Sequence, residues 1–364
     1  MDFSLNEDQR MLLDSLKRFS ATVLKPAAPK IDEHQKMDPA LFKSAVELGM
    51  PLDAVPAKNG GYLEGAYSHL NRALRAETCA QACAGVTYLL ESGTEIALAL
   101  AKADAKTADA WLKNFTAPSF ATGALVGEYG GFTAQMAGAG FKISGQQTAV
   151  LLAESASFWL LKAAGPEGTL LAIFAGKPAG AETFRISNTG FRACDAADVH
   201  LTDIAVGGEN VLAQGAAADE IWRLVLDASR VVTAALGLGN AQGAVDFAQG
   251  YANERVQFSR PIAKFQAIAQ MLEESKSAIA AARLLVFQLA HRLEAGENVS
   301  DAIRLAKAHA AKVGTRATID AVQVLGGYGF VTDYPVEKAY RDNRVIETLR
   351  GRDMLDMLIN IQAA

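Results

Sequence analysis

Two stretches of this chain carry side chains suited to holding a phosphorylated nucleotide. In the first, residues 255–266, Arg255 and Phe258 precede Phe265 and Gln266. A planar guanidinium fits phosphate oxygens, and an amide side chain can hydrogen-bond an adenine or ribose edge. Without further context Arg255 reads as a surface helix arginine, as most do. In the second, residues 323–330, Gln323 leads into Gly326, Gly327 and Gly329. That pattern predicts a helix C-terminus entering a turn where a ligand can approach bare backbone N–H groups. A helix stop followed by an ordinary loop is the plain alternative. A third stretch, Gly237, Gly239 and Gly243, superficially matches a dinucleotide fingerprint. It falls inside a helical pattern, so close helix packing is the better reading.

Composition narrows the classes. The chain has 364 residues, enough for two or three packed units, and 40 acids against 35 bases give a net charge of −5. With no basic tract, neither nucleic acid nor an anionic membrane surface is an expected partner. The charged N-terminus argues against a signal peptide or a transmembrane span there, and a cytoplasmic protein is expected. Cys79, Cys83 and Cys194 fit a reducing compartment and make no zinc motif; small buried apolar roles suit them. The five histidines show no metal-binding spacing.

Helical periodicity runs through residues 4–24, opening on a capping box from Ser4 to Glu7 and closing at Lys25-Pro26. It resumes over 38–115, interrupted between Pro51 and Gly65. After residue 116 short apolar runs alternate with turns, with a hairpin expected at residues 165–168. From 219 onward long helical patterns return. The expected organisation is an N-terminal helical domain (1–115), a middle β domain (116–218) and a C-terminal helical bundle (219–364).

The order α, β, α and the run from Gln323 to Gly351, with Tyr334-Pro335-Val336-Glu337 and Tyr340-Arg341-Asp342, resemble the flavin-dependent acyl-CoA dehydrogenases. The resemblance covers essentially the whole chain. It implies that fold (helical domain, β-barrel or sandwich domain, four-helix bundle), α,β-dehydrogenation of a CoA thioester, and FAD shared between neighbouring subunits. Arg255, Phe258, Phe265, Gln266, Gln323, Gly326 and Gly327 match the residues that such enzymes lend to a neighbour's FAD; Ser259 replaces the usual Gly. Asp227 and Arg230 match residues near the CoA chain.

Where the resemblance places the catalytic Glu, this chain has Arg350, and a guanidinium cannot abstract a proton. At the family's alternative base position stands Ser229. Glu347 is a weak substitute, more simply a structural Glu. The flavin-ring elements match poorly: residues 127–134 retain only fragments of the family loop, and the strand over Thr148–Glu154 has no Trp. Apolar residues cannot supply the hydrogen bonds that orient a flavin ring. The implied reading is the base-lacking subunit of an α2β2 heterotetramer that completes FAD in a catalytic partner, as in members acting on steroid side-chain thioesters. An electron-transfer flavoprotein is a further implied partner. The alternatives are a homotetrameric dehydrogenase with a relocated base, or a flavin-free acyl-CoA-binding scaffold.

Overall fold

The structure, a computed structural model, describes residues 4–115 and 120–351. It opens on helices α1 (Glu7–Phe19), α2 (Lys25–His34), α3 (Ala40–Glu47), α4 (His69–Ala80), α5 (Ala84–Lys102) and α6 (Ala105–Phe115). The capping box differs from the expected one. Gln9 N–H donates to Asn6 Oδ1 at 2.8 Å and Asn6 N–H to Gln9 Oε1 at 3.1 Å. Asn caps as well as Ser, and this start places Glu7 and Asp8 in the first turn, where the helix dipole favours acids. Nor does Lys25-Pro26 end the helical path. A π turn at Ser20–Leu24 hands the chain to α2, with Pro26 in its first turn, where a missing N–H costs nothing.

Strands follow: β1 (Gly123–Val126), β2 (Phe132–Ala137), β3 (Gly140–Leu151), β4 (Phe158–Gly165), β5 (Gly168–Ala175), β6 (Glu182–Ile186), β7 (Ala196–Val206) and β8 (Val211–Gln214). They form one sheet in the order β6-β7-β3-β2-β4-β5-β8, with β1 parallel to β4. The expected hairpin joins β4 to β5, pairing Gly165 with Gly168. The strand expected over 148–154 stops at Leu151, because Leu152 turns to φ 60° and donates its N–H to the Asp195 carbonyl at 2.8 Å.

The C-terminal bundle comprises α7 (Gly215–Glu254), α8 (Gln266–Glu294), α9 (Ser300–Leu325) and α10 (Pro335–Thr348). Helix α7 begins ahead of the boundary expected at 219, because Ala216, Ala217 and Ala218 are strong helix formers. It is buried on every side from Val231 to Ala241 and packs against α4, α5, α8, α9 and α10. Its glycines do the close packing read from the sequence. A Cβ on Gly239 would stand 2.0 Å from the Glu77 carbonyl oxygen, and one on Gly243 2.2 Å from that of Gln81. Gly239→Ala must therefore push α4 off α7, and a loss of about 1–3 kcal/mol is expected in urea denaturation. Among the described residues no helix is long and apolar enough to cross a membrane.

His69 opens α4 in a buried position, capped by Ser68 and edge-on to Tyr67 at 5.2 Å. Burial first, then the charges of Arg72 and Lys102, push its pKa down to about 4. At neutral pH it is uncharged in both folded and unfolded chains. As pH falls from about 6.5 towards 4, only the unfolded chain takes the proton, so stability drops by about 3 kcal/mol. Urea midpoints for wild type and His69→Phe, compared across that window, should show the shallower pH slope in the variant.

Candidate functional site

Arg350 lies in the turn after α10, at φ 60°, and its side chain points inward, 4% exposed. Four side chains from three elements meet its guanidinium. Nε donates to Ser229 Oγ of α7 at 2.6 Å, and Nη1 to Glu128 Oε2 of the β1–β2 loop at 2.9 Å. Nη2 donates to Tyr88 OH at 2.6 Å and to Glu95 Oε2 at 3.2 Å, both on α5. The two positions at which a base was sought, 350 and 229, thus bond to each other. Burial alone would lower the pKa of the guanidinium, but the Tyr88 oxygen, Glu95 and Glu128 outweigh it and raise it above its ordinary value. The group is a permanent cation. Outside this shell, Tyr129 latches the turn: its hydroxyl donates to the Thr348 carbonyl at 3.1 Å and accepts from Gly351 N–H at 3.2 Å.

The shell continues into the helical domain as an alternating ladder. Glu95 approaches Arg72 at 3.8 Å, Arg72 donates to Glu91 at 2.9 Å, Arg75 donates to Glu91 at 2.5 Å and to Asp53 at 2.5 Å. Asp53, Glu91, Glu95 and Glu128 oppose Arg72, Arg75 and Arg350, four carboxylates against three guanidiniums. Only Asp53, at the outer end, is substantially exposed. Burial pushes the Glu91 carboxyl up, and Arg75 and Arg72 reverse that, holding it below the usual carboxylate range. Bidentate arginine pairs of this kind make a buried charge tolerable. No substrate carbon can lie against position 350 without displacing a member of this network.

Sequence reasoning found Arg350 and Ser229 but missed Tyr88, Glu91, Glu95, Arg72, Arg75 and Glu128. The signal was present in α5, which is apolar on all sides and buried from Ala84 to Leu100, yet carries Glu91 and Glu95 one turn apart. Charges on a helix with no polar face demand buried partners. Arg72 and Arg75, one turn apart on the neighbouring α4, are those partners.

The β-domain elements read as flavin-ring contacts are turned to the chain's own groups. Gly127 N–H donates to the Gln147 side chain at 2.6 Å, Glu128 holds Arg350, and the Phe132 ring is buried in the core. Ala149, at φ 55°, donates its N–H to Asp198 at 3.0 Å. The Gly127 and Ala149 N–H groups and the Glu128 carboxylate are thus already bonded within the chain and not free to hold a ring.

The residues read as lent contacts fare differently. Arg255 caps the C-terminal end of α7, and an exposed two-stranded ribbon (Val256–Gln257 with Arg260–Pro261) follows it. Phe258 and Ser259 at its tip both have positive φ, 49° and 63°, which throws the Phe258 ring into solvent, 89% exposed. Phe265 is half-buried beneath the Arg260 guanidinium, 4.1 Å from its ring centre, and Gln266 is exposed at the start of α8. Gln323, Gly326 and Gly327 are exposed at the end of α9, with Gly326 at φ 59° and ψ −131°, a conformation suited to glycine. The two stretches meet: Tyr251, one turn before Arg255, packs edge-on to Tyr328 at 6.3 Å. Together they form one exposed face with Phe330, 80% exposed. Guanidinium, amide and open glycine backbone on one face fit a nucleotide presented from outside.

Asp227 and Arg230 line a separate cavity of about 660 Å³ between β4, α7 and the start of α9. Asp227 is buried, accepting from Ser300 at 2.5 Å and Arg223 at 3.1 Å, and burial raises its pKa despite these partners. Arg230 Nη1 stands 3.6 Å from Asp227, and its Nε donates to the Arg350 carbonyl at 3.1 Å. Glu347 points elsewhere: its carboxylate pairs with Arg344.

Comparison with known proteins places this geometry among relatives. Residues 6–118 match the family description "Acyl-CoA dehydrogenase, N-terminal domain" and residues 221–364 "Acyl-CoA dehydrogenase, C-terminal domain". A short-chain-specific acyl-CoA dehydrogenase of Clostridium acetobutylicum is 27% identical over 381 residues, covering 99% of this chain and 98% of the relative. An acryloyl-CoA reductase (NADH) of Anaerotignum propionicum is 27% identical over 383 residues, covering 99% and 95%. Among solved structures, butyryl-CoA dehydrogenase of Megasphaera elsdenii shares the fold at a TM-score of 0.90, with 24% identity, over 100% of this chain and 99% of the other.

Proposed function

This chain belongs to the acyl-CoA dehydrogenase family, whose members are FAD-dependent flavoproteins, and we propose from that premise that it is the base-lacking subunit of a heteromeric dehydrogenase. Its partner supplies the catalytic carboxylate and most of the FAD site. This chain lends Arg255 to the phosphates, Gln266 and Gln323 to adenine or ribose edges, Phe258 as a stacking surface, and the backbone at Gly326 and Gly327. The chemistry that FAD held there would supply is acceptance of a hydride from the substrate β-carbon. The observation that carries this reading is the contrast between a sealed centre and an open face. Arg350 is bonded on all sides where a base would act, while the lent contacts stand exposed. A homotetramer using Glu347 is disfavoured by the pairing of that carboxylate with Arg344. The cavity at Asp227 and Arg230 is read as a surviving thioester groove, and an electron-transfer flavoprotein as the downstream acceptor.

Visible spectra of the purified chain, and of its complex with a co-expressed family member carrying an intact Glu, test the proposal. Flavin absorbance in the complex and not in the isolated chain is the expected result. An isolated chain that purifies as an active, fully flavinated homotetramer overturns it, and absorbance in neither sample points instead to a flavin-free scaffold.

A further inference from the structure

The cavity beside Asp227 and the sealed centre behind it make opposite demands on a ligand. Resting on the reading of that cavity as a thioester groove, we infer that it takes the polar handle of a CoA-type ligand and rejects the acyl part. The site is acyl-blind. Its outer wall carries Lys162, whose ammonium makes no ion pair among the described residues and lies 5.8 Å from the centre of the Trp222 ring. The neighbouring Arg223, Arg292 and Arg304 are already matched to Glu220, Glu297 and Asp301, Arg230 stands against Asp227, and Asp219 of the same wall accepts from Thr169, which leaves Lys162 as the cation without a carboxylate partner among the described residues. That suits a phosphate. Deeper in, the Asp227 carboxylate is fully buried, held by Ser300, Arg223 and Arg230, and closes the floor of the cavity.

The inner end of the cavity is Arg230, and its bond to the Arg350 carbonyl closes the way. Past it lie Tyr88, Glu95, Glu128 and Ser229, all spent on one guanidinium. An acyl chain entering that space would strip a buried charge of its partner and would meet ionised groups where methylenes need apolar walls. In an apolar slot each buried methylene tightens binding about fourfold. Here affinity is independent of chain length.

Isothermal titration of the full-length chain, without its partner, with CoA, acetyl-CoA and octanoyl-CoA tests this directly. The expected result is three affinities within about threefold of one another, against the thousandfold or so that an eight-carbon chain would gain in an apolar slot. Lys162→Ala, at a partly exposed site, should weaken all three by the same factor, about tenfold. Octanoyl-CoA binding more than about tenfold tighter than CoA would overturn the inference, because methylenes would then be finding an apolar slot. Failure of all three to bind at millimolar concentration also overturns it, and the groove reading with it, but leaves the flavin-sharing proposal to its own spectral test.

Discussion

Restoring a carboxylate by Arg350→Glu is expected to give no dehydrogenase activity and a protein that no longer unfolds cooperatively. The substitution puts a fifth carboxylate into a network that keeps only two guanidiniums, Arg72 and Arg75. Breaking one buried pair costs about 3–5 kcal/mol, against a total stability of about 5–15 kcal/mol for a typical domain. Arg350→Met, which only removes the cation, should lose about that 3–5 kcal/mol in urea denaturation, since Glu95 and Glu128 stay buried without their shared partner. Adding Glu95→Gln and Glu128→Gln to Arg350→Met should recover much of the loss. By contrast, Glu347→Gln disturbs a surface pair and should shift stability by less than about 1 kcal/mol, with no change in turnover of the complex. An Arg350→Glu protein that folds like wild type and oxidises acyl-CoA would refute the sealed-centre account.

The second large effect belongs to the exposed face. Arg255→Ala or Phe258→Ala should reduce FAD retention by the proposed heteromeric complex about 10- to 100-fold, the loss of a charge-assisted phosphate contact or a stacking surface. The same variants should leave the chain's own unfolding midpoint almost unchanged, within about 0.5 kcal/mol, because neither side chain is buried. Flavin-to-protein absorbance ratios during dialysis, set beside thermal melts, check both halves. Unchanged flavin retention would show that the partner holds its cofactor unaided.

The order of helices, strands and helices was legible because apolar periodicity changes sharply near residue 116 and again near residue 219. The glycine run in α7 was legible for the same reason: its helical surroundings forced a packing explanation, and the approach of Gly239 and Gly243 to α4 supports it. Local starts and stops were less so. Asn6 competed with Ser4 for the cap, and Pro26 was read as a stop although a π turn can carry a proline into the next first turn. In the site, Arg350 was visible as a chemical misfit, but its meaning was not. What it binds depends on residues far away in sequence, Tyr88, Glu95, Glu128 and Ser229, that only the tertiary fold brings to one point. Pattern reading weighed each charge alone, and Glu91 and Glu95 on an all-apolar helix went unremarked for that reason.

The buried ladder has a bearing on the history open to this chain. Its members share partners, so the effects of changing them are strongly non-additive. A reversion at position 350 is harmful unless positions 95 and 128 have already changed, and changing those first strands the Arg350 cation. Every single step towards a working base therefore passes through a poorly folded intermediate. The network acts as an epistatic ratchet: once assembled, it closes the short mutational road to a carboxylate at position 350.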